Sequence, residues 1–217
     1  MTFNLLLGNS LLWTTLFFVL VVLAVLTQHS MSQSLWYVVR GPVKAAPAFF
    51  LAWLSWYLQA PGLLTFALFL CGCGDVLLDL AKTRSPRAFE VGAAVFAVAL
   101  VCLSFTYLAK PLEGWLLLPL ALSNLMVSLF ICVWLLPKIS SAWRAPAVAY
   151  LLVLVASNVV AATSIVPVFL GSTLWLLSDL AIGLGRHIPG ILSNGLTNLG
   201  LYDLGLYFIT LGFISSA

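Results

Sequence analysis

The chain has 217 residues, of which 63% are apolar and 7% charged, with a formal net charge of +3 and a mean hydropathy of +1.16. Soluble domains carry about 25% charged residues, so this composition excludes a soluble domain and predicts an integral membrane protein. The basic residues are spread over several short polar stretches, which argues against a nucleic-acid partner. We therefore treat residues 1–217 as a single transmembrane domain in contact with the lipid bilayer.

Eight apolar stretches are long enough to cross a bilayer, because a spanning helix needs about 20 mostly apolar residues. The predicted spans are 9–27, 41–60, 62–81, 89–108, 114–136, 146–165, 167–185 and 196–214. The first follows Met-Thr-Phe-Asn without a basic start or a small-residue cleavage site, so we expect a retained helix rather than a signal peptide. The expected fold is an all-α bundle of eight transmembrane helices.

Lysine and arginine positions predict the orientation of this bundle. With eight spans, eight of the nine positive residues fall on one side of the membrane and only Lys110 falls on the other. Positive residues favour the cytosolic side, so the connections after odd-numbered spans should face the cytosol. Both termini should lie on the non-cytosolic side, and in a bacterium the membrane would be the inner membrane.

All four aspartates lie inside predicted spans. Asp75 and Asp79 are four residues apart on the third span and share one helix face. Asp179 lies on the seventh span and Asp203 near the start of the eighth, so with Lys44 every embedded charge falls in the cytosolic half. A carboxylate in hydrocarbon costs about 2.5–3.5 kcal/mol. Such groups therefore pair, line a wet cavity or take part in chemistry.

Asp75 and Asp179 are the predicted catalytic pair, because the topology places them at a similar depth. Two neighbouring carboxylates in a low-dielectric site do not both ionise easily, so one can serve as general acid and the other as general base. A structural alternative stays open, in which each aspartate pairs with Lys44 or caps a helix. Lys44 is equally consistent with binding a phosphate head group and with snorkelling to the interface.

The other polar positions in the spans also allow two interpretations. Asp79 could act in the site or form a helix-end ion pair with Lys82, and Asp203 has the same ambiguity, with Tyr202 beside it as a possible hydrogen-bond donor. On the sixth span, Tyr150, Ser157 and Asn158 could line a pocket, although hydrogen bonds between helices are the favoured interpretation.

A metal or cofactor is not expected. A hydrolytic zinc site needs about three protein ligands, and the two histidines, His29 and His187, fall in predicted loops. The four cysteines all lie in apolar runs and are interpreted as packing residues.

A weak internal repeat accompanies the aspartates. Gly74-Asp75-Val-Leu is echoed by Ser178-Asp179-Leu-Ala and by Tyr202-Asp203-Leu-Gly. The third and seventh spans are four spans apart, as a duplication of a four-helix unit would give.

Short motifs in a fixed order resemble the YhhN family, the lysoplasmalogenases. They are Lys44-Ala-Ala-Pro47, Gly74-Asp75, Phe89-x-x-Gly92-x-x-x-Phe96, Ala149-Tyr150, Gly171 with Ser178-Asp179, and Tyr202. The resemblance runs from the second span to the C-terminus. It implies an eight-helix enzyme that hydrolyses the vinyl ether bond of lysoplasmalogens, releasing a fatty aldehyde and a glycerophospho-ethanolamine or -choline.

This chemistry suits an embedded pair of acids. A vinyl ether hydrolyses by protonation of its β carbon, addition of water to the oxocarbenium ion and collapse of the hemiacetal, which requires an acid, a base and nearby negative charge. Asp75 and Asp179 could fill these roles without a metal. A single-chain ether lysophospholipid is the expected substrate, and the residues expected to contact it are Lys44, Asp79, Tyr150, Ser178, Tyr202 and Asp203.

Three departures from the family pattern leave the substrate open. Leu100 stands where the family commonly has a histidine, and Asp203 and Leu206 replace a tyrosine and a glutamine on the last span. Asp79 has no recognised counterpart. Another substrate or the absence of hydrolase activity is therefore an alternative.

The rival functions are a lipid-binding protein without hydrolase activity, a proton-linked carrier and a structural or assembly factor. A carrier should keep a polar track to the outer face. The candidates for such a track are few, namely Ser55, Gln59, Ser123, Asn124, Thr163 and Ser164. This scarcity favours the enzyme.

Overall fold

The computed structural model describes residues 2–30, 37–81, 86–109, 117–185 and 195–215. These residues form eight α-helices and one short 3-10 turn, with no strand among them. The helices are α1 (Thr2–Ser30), α2 (Tyr37–Tyr57), α3 (Gly62–Ala81), α4 (Pro86–Leu108), α5 (Leu118–Leu135), α6 (Ser141–Ala161), α7 (Val166–Gly185) and α8 (Gly195–Ile214). The predicted all-α fold is confirmed for this part of the chain.

Five of the described helices, α1, α3, α4, α5 and α6, are long and apolar enough to cross a membrane. α7 and α8 contain shorter apolar segments, Val166–Ile182 and Asn198–Ile214. α2 carries Arg40 and Lys44 in its first half, which interrupts its apolar character. The full count of eight spans and the orientation of the termini stay predictions.

The start of α2 differs from the prediction in a way that matters for the site. The helix begins at Tyr37 rather than at residue 41, so Arg40 lies in its first turn and not in the preceding connection. A long cationic side chain can reach the interface from a helical backbone. A charged residue therefore marks the end of an apolar stretch but not the end of the helix. For this reason α2 begins earlier in the chain than the apolar pattern indicates.

The helices surround a common interior. α3 packs against α2 and α4, α4 packs against α6, α6 packs against α7, and α7 packs against α8. α8 then returns to α2 and α1, while α5 packs against α6 and α7. This order closes the ring α2–α3–α4–α6–α7–α8, so the helices that carry the four aspartates face one interior.

Helix contacts in the ring repeat with a spacing of four helices. The pairs α2–α3, α3–α4 and α8–α2 correspond to α6–α7, α7–α8 and α4–α6. Asp75 lies 13 residues after Gly62, the first residue of α3, and Asp179 lies 13 residues after Val166, the first residue of α7. This is the arrangement that the proposed duplication of a four-helix unit would produce.

Two glycines bring α7 and α8 into backbone contact. A Cβ atom on Gly205 would lie 2.7 Å from the carbonyl oxygen of Gly171, and a Cβ atom on Gly171 would meet the carbonyl oxygen of Gly205. Small residues allow this close approach between helices in membranes. The hydroxyl of Ser178 donates a hydrogen bond of 2.8 Å to the backbone carbonyl of Asn198, which links the same two helices near their other end. The register of Asp179 against Tyr202 is thereby set.

Candidate active site

Three buried aromatic rings form an apolar wall in the interior of the ring. The ring centroid of Phe96 lies 6.1 Å from that of Trp175 and 5.8 Å from that of Tyr202, and Trp175 and Tyr202 are 5.4 Å apart. All three pairs meet edge to face, which is a favoured geometry for aromatic rings. A Cβ atom on Gly74 would lie 2.7 Å from the Phe96 ring, so the glycine before Asp75 makes room for this wall.

Asp75 forms a buried ion pair with Lys44. Lys44 Nζ lies 2.7 Å from Asp75 Oδ1, and Asp75 is 2% exposed. The other carboxylate oxygen, Oδ2, accepts no hydrogen bond from the residues that the structure describes. The pairing left open by the sequence is therefore present, and the Lys44 ammonium favours the charged form of Asp75.

Asp79 forms an ion pair with Arg40 on α2. Arg40 Nε lies 3.2 Å from Asp79 Oδ1, and the same guanidinium donates hydrogen bonds of 3.0 and 2.6 Å to Gln28 Oε1 on α1. The sequence offered Lys82 as the partner, and Lys82 lies outside the described residues. The prediction missed Arg40 because it placed that residue in a connection.

The two ion pairs form a ladder between α2 and α3. Arg40 and Lys44 are four residues apart on α2, and Asp75 and Asp79 are four residues apart on α3. Because the helices are antiparallel, the residue earlier on α2 meets the residue later on α3. This matched spacing is a sequence signal that could have identified Arg40, had α2 been extended by one turn.

Asp179 is held by two neutral donors. The Tyr150 hydroxyl on α6 and the Trp175 indole N–H, one turn earlier on α7, donate hydrogen bonds of 2.7 and 3.1 Å to Asp179 Oδ2. An indole N–H can only donate, so it holds this oxygen as an acceptor. Asp179 is also close enough to Asp75 for the two carboxyl groups to interact electrostatically. Trp175 was not predicted, because a tryptophan in an apolar span is ordinarily a packing residue.

The remaining predicted contact residues fall into two groups. Asp203 is 1% exposed, Tyr202 is 6% exposed, and neither side chain makes a hydrogen bond within the described part of the chain. The Tyr202 hydroxyl nonetheless lies near the Asp75 carboxyl group. The Ser178 hydroxyl already donates a hydrogen bond to α8. Its contact with substrate stays a prediction, because the hydroxyl would then have to bind α8 and the substrate together.

Leu100 and Leu206, at the positions where a histidine and a glutamine were expected, are both buried. They join the hydrophobic interior and offer no side-chain hydrogen bond. The backbone carbonyl of Leu100 accepts a hydrogen bond of 3.4 Å from the Ser157 hydroxyl. The interior of this chain therefore has fewer neutral polar groups than the motif predicts.

Polar side chains further along the helices mostly satisfy one another. Asn158 Nδ2 donates to the hydroxyls of Ser172 and Thr173 at 3.2 and 3.1 Å, and Asn124 Nδ2 donates to Asn158 Oδ1 at 3.1 Å. These bonds tie α5, α6 and α7 together. The favoured interpretation of Asn158 as a link between helices is supported.

The two histidines were both predicted to lie in loops. His29 lies in the last turn of α1, inside a helix rather than the predicted loop, and His187 lies outside the described residues. Over the described ranges, no three histidine, cysteine, aspartate or glutamate side chains group closely enough to share a metal ion.

Apolar helices around a buried set of ion-paired and hydrogen-bonded carboxyl groups define a class: a multi-pass membrane protein with an intramembrane carboxylate site. The model of the YhhN family matches residues 39–213, which is most of the chain. The chain belongs to the YhhN family, as its motifs predicted. Comparisons with curated proteins and with solved structures gave no match.

Proposed function

We propose that this protein is a membrane-embedded hydrolase that cleaves the vinyl ether bond of lysoplasmalogens to a fatty aldehyde and a glycerophospho-alcohol. Membership of the YhhN family supports the reaction class. The observation that carries the proposal is the placement of Asp75 and Asp179 in one apolar interior, each held by its own partners.

The contacts of the two aspartates suit the later steps of the reaction. Lys44 supports a charged Asp75, and the two donors on Asp179 support a charged acceptor oxygen there. Two carboxylates beside the oxocarbenium ion stabilise its positive charge, and one of them can accept a proton from the attacking water. This proposal differs from the expectation drawn from the sequence, in which one of the two aspartates stays protonated at rest.

The cationic end of the ladder suits a phosphate head group. The side chains of Arg40 and Lys44 are 21% and 15% exposed, whereas those of Asp79 and Asp75 are 4% and 3% exposed. The cations therefore lie nearer the surface than their partners. A single-chain lysophospholipid could place its phosphate there and its vinyl ether beside the deeper carboxyl groups.

A proton-linked carrier is less well supported. It requires titratable or wet groups that continue toward the opposite face of the membrane. Asn124 and Asn158 are bound to each other and to neighbouring hydroxyls, and the hydroxyls of Ser55 and Thr65 are paired at 3.0 Å. In the described region these groups act as links between helices, so a site closed on one side fits better.

Replacing the two aspartates tests the proposal. Asp75→Asn and Asp179→Asn keep side-chain size but remove the charge and the proton-accepting oxygen. Each should lower aldehyde release from a lysoplasmalogen by about 10²–10⁴-fold, the usual contribution of an acid–base group. The matched control is Thr106→Val on α4, whose buried hydroxyl donates a hydrogen bond to the Cys102 carbonyl of its own helix and should be dispensable.

The measurements are aldehyde release by purified protein and thermal unfolding of each variant in detergent. If the wild-type protein releases no aldehyde, the substrate assignment is wrong. If both variants keep full activity, the roles assigned to Asp75 and Asp179 are wrong.

A further inference from the structure

Among the residues that the structure describes, Asp203 differs from the other three aspartates in having no hydrogen-bond or ion-pair partner. It is 1% exposed, and neither carboxyl oxygen makes a hydrogen bond to any residue that the structure describes. Asp75 and Asp79 have cationic partners, and Asp179 has two donors.

The charges around Asp203 do not favour a second carboxylate. Its electrostatic neighbours are Asp75, which is negative, and Lys44, which is already committed to Asp75 at 2.7 Å. The other cation of the ladder, Arg40, is engaged with Asp79 and Gln28. An unpaired carboxylate in an apolar interior costs several kcal/mol, so such a group takes up a proton instead. Asp203 is therefore expected to be a neutral carboxylic acid.

We propose that Asp203 is the proton donor of the vinyl ether hydrolysis, an inference that rests on the function proposed above. The reaction needs a carboxylic acid at rest, and the contacts of Asp75 and Asp179 support their charged forms. Asp203, which lies near Asp75, is the carboxylic acid that the reaction requires. It also stands where the family resemblance expects a tyrosine, which is a much weaker acid.

In the proposed reaction, Asp203 gives up one proton and regains one. The electron pair of the C=C bond takes the proton of Asp203, so that a C–H bond forms at the β carbon, the O–H bond breaks and Asp203 becomes a carboxylate. Water adds to the oxocarbenium carbon and gives one proton to the carboxylate of Asp75 or Asp179. As the hemiacetal collapses, its hydroxyl proton passes to the Asp203 carboxylate, the C–O bond breaks, and the glycerol oxygen takes the proton that Asp75 or Asp179 accepted from water. One water is consumed, and Asp203 ends protonated.

Infrared spectroscopy tests the resting state without substrate. Purified wild-type protein at neutral pH should show the C=O stretching band of a protonated carboxyl group, shifted in D₂O. The band should be missing from Asp203→Asn and present in Thr210→Val, which removes another buried polar group of α8. A wild-type spectrum without such a band, or a band that persists in Asp203→Asn, overturns the proposal.

Activity measurements test the donor role. Asp203→Asn should lower kcat for aldehyde release by about 10²-fold or more with little change in KM, and Asp203→Glu should recover part of the loss. Thr210→Val should retain the wild-type rate. Full activity of a folded Asp203→Asn overturns the donor role but leaves the proposed function standing. A wild-type protein inactive on vinyl ethers overturns both, and the infrared result then still decides whether Asp203 is neutral.

Discussion

The ion pair between Lys44 and Asp75 is the residue-level feature on which the interior depends. Lys44→Met would leave Asp75 buried without its countercharge, and breaking a buried pair in this way typically costs about 3–5 kcal/mol. Adding Asp75→Leu removes the stranded charge, so the double variant should regain most of the lost stability. Thermal unfolding in detergent measures both changes.

The control for this pair is its neighbour on the ladder. Arg40→Met removes a cation whose side chain is more exposed than that of Lys44, so its ion pair is better screened by solvent and the cost should be smaller than that of Lys44→Met. Equal, additive losses from Lys44→Met and Asp75→Leu would contradict a direct interaction between the two side chains.

The acidic side chains and Lys44 could be identified from the sequence, whereas Arg40 and Trp175 could not. The acids were recognisable because charge in an apolar span is costly, and Lys44 was recognisable for the same reason. Arg40 was missed because a cation near a helix end looks like part of a loop. Trp175 was missed because its role depends on one N–H, and an apolar pattern does not show where that N–H points.

At the level of elements, the backbone contact between α7 and α8 should limit the substitutions that position 205 tolerates. Gly205→Ala would push a methyl group against the carbonyl oxygen of Gly171 and the backbone nitrogen of Trp175. We expect a loss of about 1–3 kcal/mol, as for other overpacked sites, together with reduced activity because Asp179 shifts against Tyr202.

Gly200→Ala is the matched control on the same helix. A Cβ atom there would have no neighbour within 4 Å among the described residues, and alanine favours a helix more than glycine does. Thermal unfolding should therefore show a neutral or stabilising effect for Gly200→Ala. A similar loss in both variants would mean that helix propensity, and not the α7–α8 contact, is responsible.

Helix ends were predictable from sequence only in part, and helix neighbours were not. The helices α1, α2, α5 and α6 begin four or more residues away from the predicted starts of their spans. The bounds of α3 and α8 agree with the predicted spans within one residue, because Pro61-Gly62 and the polar stretch before Gly195 interrupt the apolar runs. The packing of α4 on α6 and of α8 on α2 depends on complementary surfaces of helices distant in sequence, which periodicity alone does not specify.

At the level of the whole molecule, labelling of introduced cysteines tests the predicted orientation in the membrane. The turn between α2 and α3 and the turn between α5 and α6 should open on opposite sides. Gln59 and Ser140 are exposed in these turns. In a cysteine-free background, Ser140→Cys should react with an impermeant thiol reagent from the cytosolic side and Gln59→Cys from the other side.

Thr163, exposed in the turn between α6 and α7, serves as a third position and should behave like Gln59. Labelling of Gln59→Cys and Ser140→Cys from the same side would contradict the alternating topology. Reversal of all three positions would preserve the bundle but overturn the cytosolic placement of the carboxyl groups.

Hydrolysis in D₂O tests the central claim most directly, because it follows the proton that the carboxyl groups are proposed to deliver. Purified wild-type protein would be incubated with a lysoplasmalogen in D₂O. The aldehyde would be reduced to the alcohol in the reaction mixture to prevent further exchange, and the mass of the alcohol would be determined by mass spectrometry. The saturated alkyl ether lipid serves as the control. The account predicts an aldehyde with one deuterium on the carbon next to the carbonyl and no cleavage of the control. Absence of aldehyde, or aldehyde without deuterium at that carbon, would contradict it.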